Sequence, residues 1–453
     1  MKIIIVGCGK VGLTLAEQLT IENHDVTVID SNYNKLRQIT DSIDVMCIEG
    51  NGLSSETLVE AGIKEADILI ATTESDEKNV MVTLIAKSLG NKHQAIARIR
   101  TPEYIPEIRH IKDELKMAMV LNPEYETASE ISRLVRYPSS VKRRDAFAKG
   151  RVEMLSVQLP KNSPLEGLRI KDLHRTIHCN ILICAVDRDG EVFIPNGDFI
   201  LHESDIISFV GQHAEQLKFF KELKLATGVP KSVIIIGGSS IAYYLAKSLE
   251  DMPMSVKIID VDLNKCQELA ERLPKATIIN GDASEKGLLL EEGIENADTV
   301  IPLTGIDEEN IMMSLYARSL ANTRTITKIN RITFEGVINN LDIGSVINPK
   351  LITADRIVRY VRGMENSLGS NIETLYTLAN GKMEALEFRV TREFEALDTP
   401  LMELSLKKGL LIACIYRSGS IIIPRGQDHL SVNDTVIVVT TQKGLNDLND
   451  IIK

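Results

Sequence analysis

The sequence predicts an α/β protein built from two Rossmann-like, doubly wound parallel sheets, each followed by a small α+β domain. Three observations carry this. An apolar run opens directly into a glycine turn, IIIVGCGKVG (3–12). Short β-branched runs then alternate with helical patterns, as a parallel sheet covered by helices requires. The series also occurs twice: IIIVGCGKVGLTLAEQLTIENHDVTVID (3–30) returns as VIIIGGSSIAYYLAKSLEDMPMSVKIID (233–260) with its spacing kept.

Taken in order, IIIVG is the first strand, followed by a helix over 10–22 and the strand DVTVID. A helix over 32–40, the strand DVMCIEG, a helix over 54–61, the strand ADILIAT, a helix from Ser75 to Leu89 and the strand QAIARI complete the series. Pro123 then stands near the first turn of the amphipathic segment EYETASEISRLVRY, and Pro138 closes it. Ile131, Leu134 and Val135 fall at helical spacing on that segment. Residues 151–225 are poorer in long helices and richer in strands, VEMLSVQL, NILICAVDR, EVFIP and DIISFVG, around one short helix after Pro164.

Further echoes fix the period of the duplication. EGNG (49–52) pairs with NGDA (280–283), EAGIKEADILI with EEGIENADTVI, and DEKN (76–79) with DEEN (307–310). LNPEYETASEISRLVR (121–136) pairs with INPKLITADRIVRYVR (347–362), and FIPNGDFILHESDIISFVG (193–211) with IIPRGQDHLSVNDTVIVVT (422–440). The expected division is a nucleotide-binding domain over 1–122, a crossover helix and linker over 123–140 and a small domain over 141–226. A second nucleotide-binding domain over 231–348, a crossover over 349–367 and a small domain over 368–453 then repeat it.

The glycines of GCGKVG have separable tasks. Gly7 permits the tight turn, Gly9 lets a pyrophosphate approach the backbone, and Gly12 allows helix to pack on sheet. The amides at the start of the helix, through Cys8, Lys10 and Val11, then face the phosphates. Asp30, 18 residues on at the end of the second strand, is placed to accept hydrogen bonds from ribose hydroxyls and to repel a 2′-phosphate. NAD(H) or ATP/ADP is favoured over NADP. Asn51, Thr72, Thr73 and Arg98 follow strand ends, where open parallel sheets place ligands. The second half keeps Gly237 and Asp260, sets Asp282 and Lys328 where the first has Asn51 and Arg98, and replaces Gly9 and Gly12 by Ser239 and Ala242. A side chain at Ser239 crowds the approach of a pyrophosphate, so a weaker or altered second site is expected.

Composition limits the partners. The chain has 453 residues, 44% apolar and 25% charged, and a formal charge of −11; an acidic protein is a poor match for nucleic acid. Six cysteines without a CxxC pair fit reduced, cytoplasmic thiols better than a disulfide framework. No apolar run approaches the roughly 18 residues of a membrane span, and Met1-Lys2 leads into a strand with no room for a signal sequence.

Together, the glycine turn, the acidic end of the second strand, EGNG with EAGI..ADILIATT, DEKN and the IPNGD…SDIISFVG module resemble the RCK family, whose units regulate potassium conductance. Two tandem units resemble the regulatory subunits of Trk-type potassium uptake systems. The resemblance implies a peripheral, non-enzymatic subunit on the cytoplasmic side of the cell membrane. There it gates a membrane potassium transporter as adenine nucleotides shift a homo-oligomeric ring. Eight units per ring correspond to a tetramer of this chain. The family's nucleotide residues carry over as Gly7, Gly9, Gly12 and Asp30, with Asn51, Thr72, Thr73 and Arg98, and the family implies that the crossover helix packs on a neighbouring subunit.

The rival reading is an NAD-dependent oxidoreductase, which needs an acid/base residue and a closing substrate domain. The sequence offers no catalytic candidate. His174 and His178 in HRTIHC, four apart, could share a helical face as metal ligands, but the duplicate has no counterpart, so a surface helix end is the better reading and no metal site is expected. The basic run RLVRYPSSVKRR (133–144) reads as a solvated linker face, with contact to the transporter or to anionic lipid as its functional alternative.

Overall fold

The strand β1 (Lys2–Val6) lies inside the first sheet because it is apolar on both faces: Ile3, Ile4, Ile5 and Val6 are all buried, as a strand covered by helices on each side must be. The computed structural model describes the chain except at 41–42, 91, 105–106, 109–113, 116, 136, 138–140, 226–229, 322, 332–337, 339–340, 342, 367–371, 379–381 and 446. Around β1 come α1 (Lys10–Ile21), β2 (Asp25–Asp30), α2 (Tyr33–Thr40), β3 (Met46–Glu49), α3 (Ser55–Glu60) and β4 (Ile68–Ala71). They are followed by α4 (Asp76–Leu89), β5 (Gln94–Arg98), β6 (Met117–Leu121) and α5 (Pro123–Val135). The strands pair in parallel in the order β3-β2-β1-β4-β5-β6. Chain order reverses between β1 and β4, which leaves a crevice at their carboxyl ends.

The first small domain is an antiparallel sheet, β7-β8-β11-β9-β10. It comprises β7 (Val141–Phe147), β8 (Val152–Gln158), α6 (Leu173–Thr176), β9 (Ile181–Arg188), β10 (Glu191–Phe193), β11 (Ile206–Gly211) and α7 (His213–Glu222). The second half repeats both layers. Its parallel sheet, β14-β13-β12-β15-β16-β17, uses β12 (Ser232–Ile236), α8 (Ser240–Leu249), β13 (Ser255–Asp260), α9 (Leu263–Arg272), β14 (Thr277–Asn280) and α10 (Lys286–Glu291). It continues through β15 (Thr299–Pro302), α11 (Asp307–Leu320), β16 (Arg324–Lys328), β17 (Ser345–Ile347) and α12 (Pro349–Asn366). The last sheet, β18-β19-β22-β20-β21, is formed by β18 (Ile372–Leu378), β19 (Met383–Arg389), β20 (Leu410–Arg417), β21 (Ser420–Ile422) and β22 (Thr435–Thr440).

Two strands per half differ from the sequence reading. MAMVL (β6) has few β-branched residues, and VKRRDAF (β7) is charged in its middle, so neither pattern announces a strand. β7 is a strand because Val141 and Phe147 at its two ends are buried and it pairs antiparallel with β8. The basic run therefore ends inside a sheet edge rather than in a linker; position 136 lies outside the described residues. His174 lies in α6, but that helix ends at Thr176, and the His178 amide instead donates to Glu222 Oε2 at 2.8 Å. The two histidines do not share a helical face.

The largest difference concerns the crossover helices. Asn122 caps α5, its Oδ1 accepting from the Tyr125 amide at 2.8 Å, and Asn348 caps α12 through the Lys350 amide at 3.0 Å. Each helix then leaves its own half. Ala128, Ile131, Leu134 and Val135 of α5 are buried with Ile241, Leu245 and Leu249 of α8. In return Ala354, Ile357, Val358 and Val361 of α12 are buried with Leu15, Ala16 and Leu19 of α1. The exchange implied with a neighbouring subunit is made within one chain, because the duplication supplies the neighbour.

Polar contacts hold the exchange in register. Asn122 Nδ2 donates to Tyr244 Oη at 3.1 Å, and that hydroxyl donates to the Arg100 carbonyl at 3.2 Å. Arg362 of α12 pairs with Glu22 beyond α1 and, at 3.6 Å, with buried Glu384 of β19. Arg324, almost fully buried, donates to the carbonyls of Tyr137 and Val141. It thereby ties the second parallel sheet to the entry of the first small domain. The two small domains share a core in which Phe147, Met154 and Cys184 meet Leu378, Met383 and Cys414.

Ile131→Ala should destabilise the protein by about 2–5 kcal/mol, since a fully buried side chain leaves a cavity. Hydrogen exchange should show the lost protection in β12 and α8 rather than in β1 and α1; loss confined to the first sheet would contradict the exchange.

Candidate functional site

At the carboxyl end of β1 the backbone leaves the sheet through Gly7, which has φ +102°. A Cβ at Gly7 would stand 2.8 Å from the backbone of Thr72 and Thr73, and one at Gly12 would stand 2.0 Å from the Gly7 carbonyl oxygen. Both positions therefore require glycine. Gly9 differs: a Cβ there meets nothing within 4 Å. Its glycine answers to no protein neighbour and leaves open space in front of the helix, which suits a close-lying pyrophosphate. The first-turn amides of α1, at Lys10, Val11 and Gly12, have no partner among the described residues, and Gly9 supplies no side-chain cap.

Asp30 is fixed beside this turn. Its Oδ2 accepts from the Cys8 amide at 2.7 Å and its Oδ1 from the Asn32 amide at 2.9 Å, which leaves lone pairs on both oxygens for further donors. The Cys8 thiol is buried, and burial, with Asp30 beside it, pushes it up to about 11. It is therefore a packing group and not a nucleophile. Val11 is buried, and Lys10 is exposed.

The hydroxyls of Thr72 and Thr73 are engaged within the protein. Thr72 Oγ1 donates to the Gly7 carbonyl at 3.0 Å and so braces the glycine turn. Thr73 donates through both its amide and its hydroxyl to Asn79 Oδ1, each at 2.7 Å. Asn51 caps its own turn, accepting from the Leu53 amide at 3.0 Å. Arg98, at the end of β5, is largely buried and pairs with Glu124 Oε1 at 3.3 Å. Burial lowers its guanidinium below the usual range, and Glu124 works against that shift.

Three site residues escaped the sequence reading. Asn79, fully buried, also donates to the Arg98 carbonyl at 2.9 Å, so it locks the loop after β4 to the end of β5. Asp76 accepts from the amides of Arg100 and Thr101 at 2.9 and 2.8 Å. Glu124 brings α5 to the site. The repeat of DEKN as DEEN carried the signal for the first two: an acid and an amide three apart, in both halves, at a helix start.

The second half reproduces the frame. Gly237 has φ +103°, and Asp260 accepts from the Gly238 and Asp262 amides at 2.6 and 2.8 Å. Asn310 stands for Asn79, accepting from the Thr304 amide at 2.9 Å and donating to the Lys328 carbonyl at 3.0 Å. Ser239 adopts the Gly9 backbone conformation, with φ −78° in both, and its Oγ is buried without a partner among the described residues. Asp282 caps its own turn through the Ser284 amide at 2.8 Å, as Asn51 does. Lys328 is buried, its Nζ donating to the Leu303 carbonyl at 3.1 Å, and burial lowers its ammonium.

A duplicated α/β unit with a glycine turn and an acidic strand end at each switch point, joined by exchanged helices, defines the chain as a tandem of two Rossmann-like units, each followed by a small antiparallel domain. The TrkA-N domain family matches residues 3–123 and 233–349, and the TrkA-C domain family residues 154–224 and 385–453. The chain belongs to the TrkA family. It is 31% identical over 449 residues to the Trk system potassium uptake protein TrkA of Haemophilus influenzae, covering 98% of this chain and 96% of that one. It is 29% identical over 453 residues to a Trk system potassium uptake protein TrkA homolog of Archaeoglobus fulgidus, covering all of both. Among solved structures, the GsuK channel bound to NAD matches with a TM-score of 0.61 at 19% identity, over 98% of this chain and 77% of that one. The isolated GsuK RCK domain matches with a TM-score of 0.61 at 18% identity, over 98% and 92%. These two establish the fold. Among the described residues, no helix is long and apolar enough to cross a membrane.

Asn79→Ala should cost about 1–3 kcal/mol, because it leaves the Thr73 amide and the Arg98 carbonyl without their buried partner. Urea denaturation reads this directly, and an unchanged midpoint would show that the loop is held otherwise.

Proposed function

We propose that the protein is a nucleotide-sensing regulatory subunit, not an enzyme, that controls a Trk-type membrane potassium transporter from the cytoplasmic side. The observation that carries the reading is that the glycine turn and Asp30 share the carboxyl edge of one parallel sheet with Arg98, whose ion-pair partner Glu124 opens the helix packed on the other half. A ligand seated at the first crevice thus lies one ion pair away from the contact between the halves. The names of the relatives supply the potassium system.

Gly7, Gly9 and Gly12 with the α1 amides would hold a pyrophosphate and Asp30 an adenosine ribose, with Asn51, Thr72, Thr73 and Arg98 around them. In the second half Gly237, Asp260, Asp282 and Lys328 would take the same places. The residues fit NAD(H), and equally the ribose and phosphates of ATP or ADP. The bound nucleotide contributes differential affinity for two arrangements of the halves, and only that difference moves a gate. Four chains in a homo-tetramer would supply the eight units of a ring. In the first crevice Cys8 is held up by burial, the Thr72 and Thr73 hydroxyls are engaged, and Asp30 accepts from backbone amides, which supports binding over acid/base chemistry for these four residues.

NADP(H) should bind at least about tenfold more weakly than NAD(H), since a 2′-phosphate would lie beside the Asp30 carboxylate; equal affinities by calorimetry would refute this. Gly9→Ser with Asp30→Ala should remove most NAD(H) binding and uncouple potassium uptake from it, while Asp260→Ala does less. Complementation of a strain unable to grow at low potassium, with nucleotide titration of the purified variants, checks both; a dominant effect of Asp260→Ala would place the sensor in the second half.

A further inference from the structure

The segment that follows Arg98 is held from both halves of the chain. On the side of the first crevice, Asp76 Oδ2 accepts from the Arg100 amide at 2.9 Å and from the amide and hydroxyl of Thr101, each at 2.8 Å. Asp76 is buried, and a buried carboxylate with three donors makes a stiff joint. It opens α4, and the loop before it carries Thr72, whose hydroxyl braces the Gly7 carbonyl, and Thr73, which Asn79 ties to the Arg98 carbonyl. Turn, loop and segment form one hydrogen-bonded body.

On the other side the second half grips the same segment twice. The Tyr244 hydroxyl of α8 donates to the Arg100 carbonyl at 3.2 Å, and Asn122 Nδ2 donates to both, at 3.1 Å to the hydroxyl and 3.4 Å to the carbonyl. Three residues on, Glu103 Oε1 pairs at 2.8 Å with Arg272 at the end of α9. Arg272 lies over the Tyr243 ring, 4.3 Å from its centroid, and the Tyr243 and Tyr244 rings meet at 5.4 Å, so the two grips are joined to each other.

The duplicate keeps the joint but not the hydroxyl grip. Asp307 holds the Asn330 and Arg331 amides, each at 2.9 Å, as Asp76 holds those of Arg100 and Thr101. The counterpart of Tyr244 is Thr14, whose hydroxyl turns back to the Lys10 carbonyl of its own helix at 3.1 Å. The counterpart of Asn122 is Asn348, which caps α12 through Oδ1 but whose Nδ2 makes no hydrogen bond among the described residues. The counterparts of Arg272 and Glu103 fall at 41–42 and 333, outside the described residues. Tyr244 on Arg100 is therefore an addition to the first crevice and not a by-product of the fold.

We propose that Tyr244 and Arg272 are the positioning residues through which occupancy of the first crevice reaches the second half, with the segment from Arg98 to Glu103 as the body that carries it. The inference rests on the first crevice being a nucleotide site. A ligand that settles on the glycine turn acts on Thr72 and its loop, and the change passes through contiguous hydrogen bonds to Arg100 and Glu103. Apolar contacts between α5 and α8 tolerate a small slip. A hydroxyl bonded to one carbonyl, and a guanidinium set between a carboxylate and a ring, follow the segment when it shifts.

Hydrogen exchange of the full chain, read by mass spectrometry with NAD as the probe, tests this. The parent chain carries Asp260→Ala, so that ligand in the second crevice does not itself protect α8, and calorimetry brings every variant to equal NAD occupancy. NAD should slow exchange at 7–12 and 72–79 and also change it at 244–249 and 263–272. In Tyr244→Phe, which keeps the ring, combined with Glu103→Gln, the first-half change should persist while the second-half change falls to about half or less. Glu103→Gln alone, at an exposed position, should lower the response at 263–272 and keeps the test open if the double variant does not fold. A second-half response that survives these substitutions at equal occupancy, or that is missing from the parent chain while the first half responds, overturns the coupling and leaves nucleotide sensing intact. A parent chain in which NAD changes nothing at 7–12 overturns the nucleotide site itself.

Discussion

An amphipathic helix must bury its apolar stripe, and here neither crossover helix does so at home. Ile131 and Leu134 of α5 are covered only because the second half presents α8, and Ile357 and Val361 of α12 only because the first presents α1. Hydrophobic burial at these two seams holds the halves together. It also fixes where everything else lies. Each helix starts at the carboxyl edge of one parallel sheet and packs on the other half. Glu124, which opens α5, therefore belongs to the Arg98 ion pair at the end of β5 and to the helix that joins the halves at once.

The fold and the glycine frame were legible in the sequence because they depend on short-range order. Strand, turn and helix follow one another within GCGKVG, and Asp30 follows at a spacing set by one helix and one strand. The duplication multiplied that signal. What the sequence hid was distant partnership. Nothing in the periodicity of α5 distinguishes its own sheet from the other one, since Ile131 and Leu134 suit either. Thr72 looks like a ligand residue after a strand, but its hydroxyl is taken by Gly7, 65 residues away in sequence. Asn79 looks like an ordinary first-turn residue, yet it joins two strand ends. Strands β6 and β7 were hidden for a different reason: an edge strand poor in β-branched residues, as β6 is, or charged in its middle, as β7 is, satisfies pairing, not pattern.

Symmetry and its breaking coexist in this chain. The Arg188–Asp205 bridge of the first small domain, 2.8 Å long with Asp205 buried, recurs as Arg417–Asp434 at 2.7 Å. Such contacts hold a module together and have no reason to diverge. Other positions have diverged where one half grips the other. Arg324, buried and reaching the entry of the first small domain, has Gln94 as its counterpart at the start of β5, and Gln94 is exposed. A pair of identical subunits would have to carry the same residue at both places. Fusion into one chain removes that requirement, so the grip between the halves can be distributed unequally.

The exchange of helices also sets a timetable for biosynthesis. The first parallel sheet is complete on the growing chain once β6 has emerged, but Leu15 and Leu19 of α1 stay uncovered until α12 follows the second parallel sheet. At roughly 5–20 residues per second, that interval is on the order of ten to fifty seconds. For that time the nascent chain carries a ready-made apolar groove with its intended occupant not yet synthesised, which is the form of surface that a chaperone recognises and that a second nascent chain would mispair with.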